Sequence, residues 1–341
     1  MYYKQVIILI TGNCNLECKY CYADGLKGNG SMSIENIKKA IELLDPYDSV
    51  LQISGGEPLL CPEEFIFTIK YAKETRPGSS IKLQTNATMI NDKMAVFLKD
   101  NDINVNVSLD GISAINDEIR GNTKKTLNGI RILEENGVPV NITAVITSKN
   151  SDYLDKLMGI AILFQNVKSV SFDLLRKSGR ANKNLDDLKA DIDNIKKSIG
   201  KAYGLFNKFF LKEPKTIIND IMVLLSRSIS KQKNPYYCYA AMGESVTIKP
   251  TGEVFSCPSL MNLKEGFLGD INDSCNFNKR IIRSVDNLKE CRSCKIKYVC
   301  RGGCPVRAYL ESENWLAVNK LECSYKMWLF NEFVEPLLHQ K

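Results

Sequence analysis

Histidine is nearly absent from this chain. Its 341 residues include one, His339, beside the C-terminus. Catalysis by a histidine base and zinc sites built on histidine are thereby excluded as its main chemistry. Long apolar runs are also missing. None reaches the roughly 18 residues that a membrane-spanning helix needs. The opening MYYKQVIILITGNC has a short apolar stretch that leads straight into a cysteine loop, with no small-residue cleavage site, so no signal peptide is expected. A block of basic residues is missing too. The net charge of +7 is spread along the chain, as on a lysine-rich solvated surface, and gives no footprint for nucleic acid. Finally, no cysteine occurs from position 62 to 237, although the chain has 12. A secreted disulfide scaffold is cysteine-dense throughout. Here three lie at 14–21, Cys61 stands alone, and eight lie at 238–323. Such clustering fits metal sites in a reducing cytoplasm.

The remaining pattern is alternating. Short apolar runs at 5–11, 49–54, 80–85, 103–109, 139–146 and 168–174 read as strands. Stretches with helical spacing lie between them, at 33–44, 63–75, 91–100, 124–136 and 152–165. Ser33 with Asn36 marks a capped start for the first. Six strands with intervening helices predict an α/β fold, a parallel barrel or open sheet, with its working residues in the loops after the strands. Residues 185–235 lose the strand signal and read as a helical bridge. From 236 the pattern is short strands, turns and cysteines. Pro250-Thr251-Gly252 turns a hairpin within 249–257, and 315–338 reads as a closing helix. The expected division is therefore 1–184, 185–235 and 236–341.

The first chemical motif, Cys14-x3-Cys18-x2-Cys21, directly follows the first strand. Three thiolates at this spacing can hold three irons of a cubane cluster and leave the fourth iron without a protein ligand. A zinc knuckle would need a fourth nearby cysteine or histidine, and none is present. The motif resembles the CxxxCxxC signature of the radical S-adenosylmethionine (SAM) superfamily, including the aromatic Tyr20 before the third cysteine. The resemblance continues at the strand ends. Gly55-Gly56-Glu57-Pro58 is similar to the GGEP motif that contacts the SAM amino group. Thr85 and Asn86 match the family's TNG turn, with Ala87 where glycine is usual. Ser108-Leu109-Asp110-Gly111 and Arg120 match elements near the SAM ribose and carboxylate. Gly179-Arg180-Ala181 resembles the GRA element. The resemblance implies a partial (β/α)6 TIM-like barrel in which Cys14, Cys18 and Cys21 carry the catalytic [4Fe–4S] cluster. It assigns SAM contacts to Tyr20, Gly55, Gly56, Glu57, Thr85, Asn86, Ser108, Asp110 and Arg120. Reductive SAM cleavage would yield a 5′-deoxyadenosyl radical that takes hydrogen from an unactivated carbon.

The C-terminal pattern is Cys238-x13-Gly252-x4-Cys257, then Cys291-x2-Cys294-x5-Cys300-x3-Cys304, then Cys323. Cys275 apart, it resembles the seven-cysteine SPASM domain, with two further [4Fe–4S] clusters. The resemblance implies Cys238, Cys257 and Cys304 as ligands of auxiliary cluster I, and Cys291, Cys294, Cys300 and Cys323 as ligands of auxiliary cluster II. The fourth position of cluster I is either Cys275 or open, where a substrate thiolate could bind. A pair of zinc ribbons is the bland alternative, and a free loop thiol is the bland reading of Cys275. Cys61 reads as a buried apolar residue or as a hydrogen-atom donor to a substrate radical.

SPASM-bearing relatives mostly modify peptides. The expected function is therefore a radical SAM oxidoreductase acting on a ribosomally made precursor peptide, by crosslink or thioether formation or by epimerisation. The alternatives are cofactor or haem-type small-molecule biosynthesis and sulfatase-maturase-like formylglycine formation. The last is weakened by the missing upstream cysteine. A non-catalytic iron–sulfur protein is disfavoured by the intact three-cysteine motif. With the first strand at residue 5, no leader-binding domain is expected before it, so a separate recognition protein is a possible partner. The electron donor implied by the family is a flavodoxin or ferredoxin. No nucleic-acid or membrane partner is expected.

Overall fold

The computed structural model describes residues 2–24, 26–210, 216–230, 232–273 and 281–339. Six strands pair in parallel in chain order: β1 (Gln5–Leu9), β2 (Ser49–Ser54), β3 (Ser79–Thr85), β4 (Asn104–Ser108), β5 (Val140–Ile146) and β6 (Val167–Leu174). Each lies within two residues of the apolar run that foretold it. The helices between them are α1 (Ile34–Glu42), α2 (Pro62–Thr75), α3 (Asp92–Asp100), α4 (Ser113–Ile119), α5 (Thr123–Glu135) and α6 (Leu154–Leu163). Ser33 caps α1 by accepting from the Asn36 amide at 3.2 Å. Helix α4 was not expected; it is only seven residues long.

The strands alternate. Leu51, Ile53, Ile81, Leu83, Val105, Val107, Ile142, Ala144, Val170 and Phe172 are buried in one apolar core with the helices. The residues between them are polar. Register places Gln84 beside Asn106, Asn106 beside Asn141, and Asn141 beside Ser169, while Ser108, Thr143 and Ser171 form a second row. Gln84 donates to Ser108 Oγ at 2.8 Å and Ser169 to Asn141 Oδ1 at 2.7 Å. Parallel sheets covered on both faces are apolar on both. This one has a polar second face, which suits a chamber for a polar ligand better than a second helical layer.

After β6 come α7 (Arg180–Lys183), α8 (Leu185–Leu188), α9 (Ile192–Phe210), a two-residue strand β7 (Ile217–Ile218) and α10 (Asn219–Ser230). β7 pairs with β6 inside the segment expected to be purely helical. Next follow α11 (Tyr239–Met242), β8 (Ser245–Ile248), β9 (Glu253–Phe255) and β10 (Phe267–Asp270). The chain closes with α12 (Lys297–Cys300), α13 (Pro305–Ser312), α14 (Lys320–Leu329), a π turn (Phe330–Val334) and α15 (Glu335–His339). The closing helix thus begins five residues later than the periodicity predicts, and a π turn interrupts it. β8 and β9 form the expected antiparallel hairpin. β8 also pairs in parallel with β1, Gln5 beside Ser245 through Ile8 beside Ile248. One ten-stranded sheet results, in the order β10-β9-β8-β1-β2-β3-β4-β5-β6-β7. The cysteine-rich segment is thus built onto the sheet, and its Val246, Ile248, Tyr325 and Leu329 share the main core. Among the described residues, no helix is long and apolar enough to cross a membrane.

Candidate active site

The loop carrying Cys14, Cys18 and Cys21 is held from two sides by backbone. On one side, the Gly56 amide donates to Thr11 O and the Glu57 amide to Asn13 O, both at 2.8 Å. A side chain on Gly56 would put its Cβ 2.0 Å from Asn13 O, and one on Gly55 would meet Thr11 O at 2.5 Å. On the other side, the Arg180 amide donates to Cys21 O at 3.0 Å, and a Cβ on Gly179 would lie 2.2 Å from the same oxygen. The glycines of both motifs thus let the chain close tightly on the cysteine loop. Burial raises the Cys14 thiol and pushes Cys18 up to about 11. Binding a metal must therefore displace these protons.

Glu57 is buried and joins the second strand end to the third. Its Oε1 accepts from Thr85 Oγ1 at 2.7 Å and from the Leu59 amide at 3.2 Å, and its Oε2 accepts from the Asn86 amide at 2.7 Å. Burial nonetheless raises its pKa. Asn86 reaches across to Asn15 in the cysteine loop at 2.9 Å. Ala87 takes the left-handed conformation, φ 61°, that the usual glycine of this turn would adopt freely. Ser108 stands half-buried on the polar face and accepts from Gln84.

Tyr20, Asp110 and Arg120 form one buried cluster. The Tyr20 hydroxyl donates to Asp110 Oδ2 and accepts from Arg120 Nη1, while Arg120 Nη1 lies 3.6 Å from Asp110 Oδ2. Asp110 Oδ1 accepts from the Val145 amide at 2.8 Å. Asp110 is completely enclosed, so it orients Tyr20 and Arg120 rather than presenting a free carboxylate. Burial raises the pKa of Asp110 even so. Among the described residues, Arg120 Nε is buried without a partner, a donor left over for an anionic group. Two residues unnoticed in the sequence hold this cluster. Asn116 Oδ1 accepts from the Asp110 amide, and Asn150 Nδ2 donates to both Asp110 O and Val145 O, all at 2.9 Å. Single asparagines, one in the short helix α4 and one in a turn, carry no periodic signal that would reveal them.

In the C-terminal segment, Cys291, Cys294, Cys300 and Cys323 line a single cavity with Gly302 and Gly303. Four thiols around one cavity are a donor set that an iron–sulfur cluster or a zinc ion could use. Cys257 and Cys304 share an apolar patch with Leu260, Val306 and Tyr237. Burial, then the nearby Cys304, pushes the Cys257 thiol up to about 12. Cys275 lies outside the described residues. Cys61 is half-buried at the start of α2 and belongs to none of these groups.

Between the polar face of the sheet and this segment is a cavity of about 310 Å³. Thr143, Ser171 and Asp173 line it from the strands, Asp220 and Arg227 from α10, and Tyr325 and Lys326 from α14. The Tyr325 hydroxyl is buried there without a partner among the described residues. Burial pushes the Asp220 carboxyl up to about 6.

Comparison with known proteins agrees with this geometry. Residues 8–160 match the model of the radical SAM superfamily. The uncharacterized protein MJ0907 of Methanocaldococcus jannaschii is 34% identical over 280 residues, 79% of this chain and 89% of that protein. The cysteine-type anaerobic sulfatase-maturating enzyme of Clostridium novyi is 26% identical over 332 residues, 88% of each chain. The solved structure of native anSMEcpe with bound AdoMet and Cp18Cys peptide superposes with a TM-score of 0.79 at 20% identity, covering 98% of each chain. The chain belongs to the radical SAM superfamily.

Proposed function

We propose that this protein is a radical SAM enzyme that abstracts hydrogen from a side chain of a peptide substrate, as a maturase of a ribosomally made peptide. The observation that carries the reading is the tight closure of Gly56 and Gly179 on the three-cysteine loop, which gathers the strand-end motifs around the three thiols. Cys14, Cys18 and Cys21 would hold three irons of a [4Fe–4S] cluster. When bound, the cluster and SAM supply a 5′-deoxyadenosyl radical as the hydrogen acceptor. Arg120, with its spare Nε, would take the SAM carboxylate. Tyr20 and Asp110 would hold Arg120 in place. The turn at Thr85 and Asn86, fixed by Glu57, would border the methionine end, and Ser108 the ribose. The substrate side chain would enter the polar cavity between Thr143, Ser171 and α10.

The C-terminal cysteines would hold two auxiliary [4Fe–4S] clusters. Cys291, Cys294, Cys300 and Cys323 would carry one, and Cys238, Cys257 and Cys304 the other, with Cys275 or substrate completing it. The peptide reading is supported by the similarity to a sulfatase-maturating enzyme and to a structure solved with a peptide bound. A flavodoxin- or ferredoxin-type donor would supply the electron, and a separate protein could present the leader of the precursor.

The test is anaerobic reconstitution followed by incubation with SAM, reductant and candidate peptides. The expected result is 5′-deoxyadenosine together with loss of two hydrogens from the peptide. Cys14→Ala, Cys18→Ala or Cys21→Ala should abolish SAM cleavage, and its survival would overturn the assignment. Cleavage stimulated by a small molecule and by no peptide would instead favour cofactor biosynthesis.

A further inference from the structure

Arg283 is almost completely buried, at 2% exposure. A guanidinium remains charged in any protein environment, and a buried charge ordinarily has a paired opposite charge. Arg283 has none: among the described residues no carboxylate lies within ion-pair distance of it. Its donors all end on backbone carbonyls. Nε donates to Trp315 O at 2.7 Å, Nη1 to Gly302 O and Gly303 O at 3.2 and 3.1 Å, and Nη2 to Gly302 O and Ala317 O at 3.2 and 2.6 Å. Its hydrogen bonds are satisfied while its charge is not, and burial lowers its pKa accordingly.

The carbonyls it grips are specific. Gly302 and Gly303 belong to the three-residue link between Cys300 and Cys304, the stretch that passes from one proposed ligand set to the other. Arg301, Gly302 and Gly303 are all left-handed, with φ of 61°, 74° and 72°. Trp315 and Ala317 lead into α14, which carries Cys323. The Arg283 amide donates to Ala241 O in α11, next to Cys238. One cation thus touches the backbone beside both ligand sets, near enough to Cys304 and Cys291 to favour their thiolate forms.

We infer that Arg283 is a shared counter-ion of the two auxiliary clusters, a positioning residue whose buried charge is balanced by the thiolate-ligated clusters on either side of the Cys300–Cys304 link. This rests on the auxiliary-cluster reading above. A thiolate-ligated cluster is anionic, so a nearby fixed cation favours its bound state and its reduced form.

The experiment compares Arg283→Lys with Arg283→Gln in the full chain, reconstituted without oxygen. Iron is counted, and cluster potentials are measured by redox titration followed by electron paramagnetic resonance. Wild type should hold about twelve irons, four per cluster. Lysine, which keeps the charge, should retain most of the eight or so auxiliary irons. Glutamine should lose at least half of them and shift the surviving auxiliary signals to more negative potential. Equal loss in both variants would show that geometry rather than charge matters and would overturn the inference. So would full iron with unchanged potentials in the glutamine variant. About four irons in wild type would instead overturn the auxiliary-cluster reading itself.

Discussion

At the scale of single residues, Arg120 concentrates the recognition problem. Its Nη1 is fixed by Tyr20 and faces Asp110, while its Nε has no partner. Arg120→Lys preserves the charge beside Asp110 but loses the planar fork that carboxylates match. A lost charge-assisted hydrogen bond is worth about 1.5–3 kcal/mol. The variant should therefore lower kcat/KM for SAM by roughly 10- to 100-fold with iron content unchanged, measured as 5′-deoxyadenosine formed across a SAM titration. An unchanged KM would show that Arg120 serves only to hold Tyr20 and Asp110. The cysteines and strand-end glycines of this site were legible in the sequence because their spacing is the chemistry. Asn116 and Asn150 were not, since each acts through one or two hydrogen bonds to a distant backbone. Nor could the sequence tell that Asp110 is completely enclosed.

At the scale of elements, the six parallel strands were readable because their apolar residues alternate or cluster in short runs between helix-like stretches. β7 is too short to give a pattern, and the pairing of β8 with β1 joins residues some 240 positions apart with no local signal. Asp220 shows how tertiary position changes an element's chemistry. It lies in the first turn of α10 and accepts from the Phe172 amide of β6 at 2.8 Å, so an acid is well placed there. Burial nevertheless pushes its pKa from 3.8 to about 6. For an acid whose folded pKa is raised, the associated stability is present below the unfolded value and lost as pH rises through the folded one. Asp220→Asn keeps an acceptor for Phe172 and removes this loss. It should match wild type near pH 4 and exceed it by about 1–3 kcal/mol at pH 8, measured by urea unfolding of the metal-free protein. A constant difference at both pH values would mean that Asp220 does not titrate in this range. A simpler gain is available in α9. Gly200 has open space where a Cβ would stand, and Gly200→Ala should add about 0.5–1 kcal/mol in the same assay.

At the scale of the whole molecule, the question is whether the cysteine-rich segment is a detachable unit. A partly buried chain of charges ties it to the sheet. Arg307 of α13 donates to Asp173 Oδ1 of β6 at 2.9 Å and to Glu322 Oε2 of α14 at 2.5 Å. Lys326 lies 3.2 Å from Glu322, and Arg176 grips Asp173 with both of its terminal nitrogens. Burial alone would raise the Glu322 carboxyl, but Arg307 and Lys326 hold it well below the usual carboxylate range. Its contribution is therefore present from the ordinary carboxylate pKa upward and fades only as pH falls toward the depressed value. Glu322→Gln would leave Arg307 and Lys326 short of a counter-charge, at a cost of about 3–5 kcal/mol. Both tryptophans, Trp315 and Trp328, lie in the C-terminal segment, so fluorescence follows that segment while far-ultraviolet circular dichroism follows all helices. One apolar core contains Ile8 and Val107 of the sheet together with Tyr325 and Phe333 of the closing helices. Because that core and the β1–β8 ladder are continuous, the metal-free Glu322→Gln variant should unfold at lower urea with the two probes still coincident. Fluorescence falling ahead of circular dichroism would instead mean that the charged chain, rather than the shared core, joins the cysteine-rich segment to the sheet.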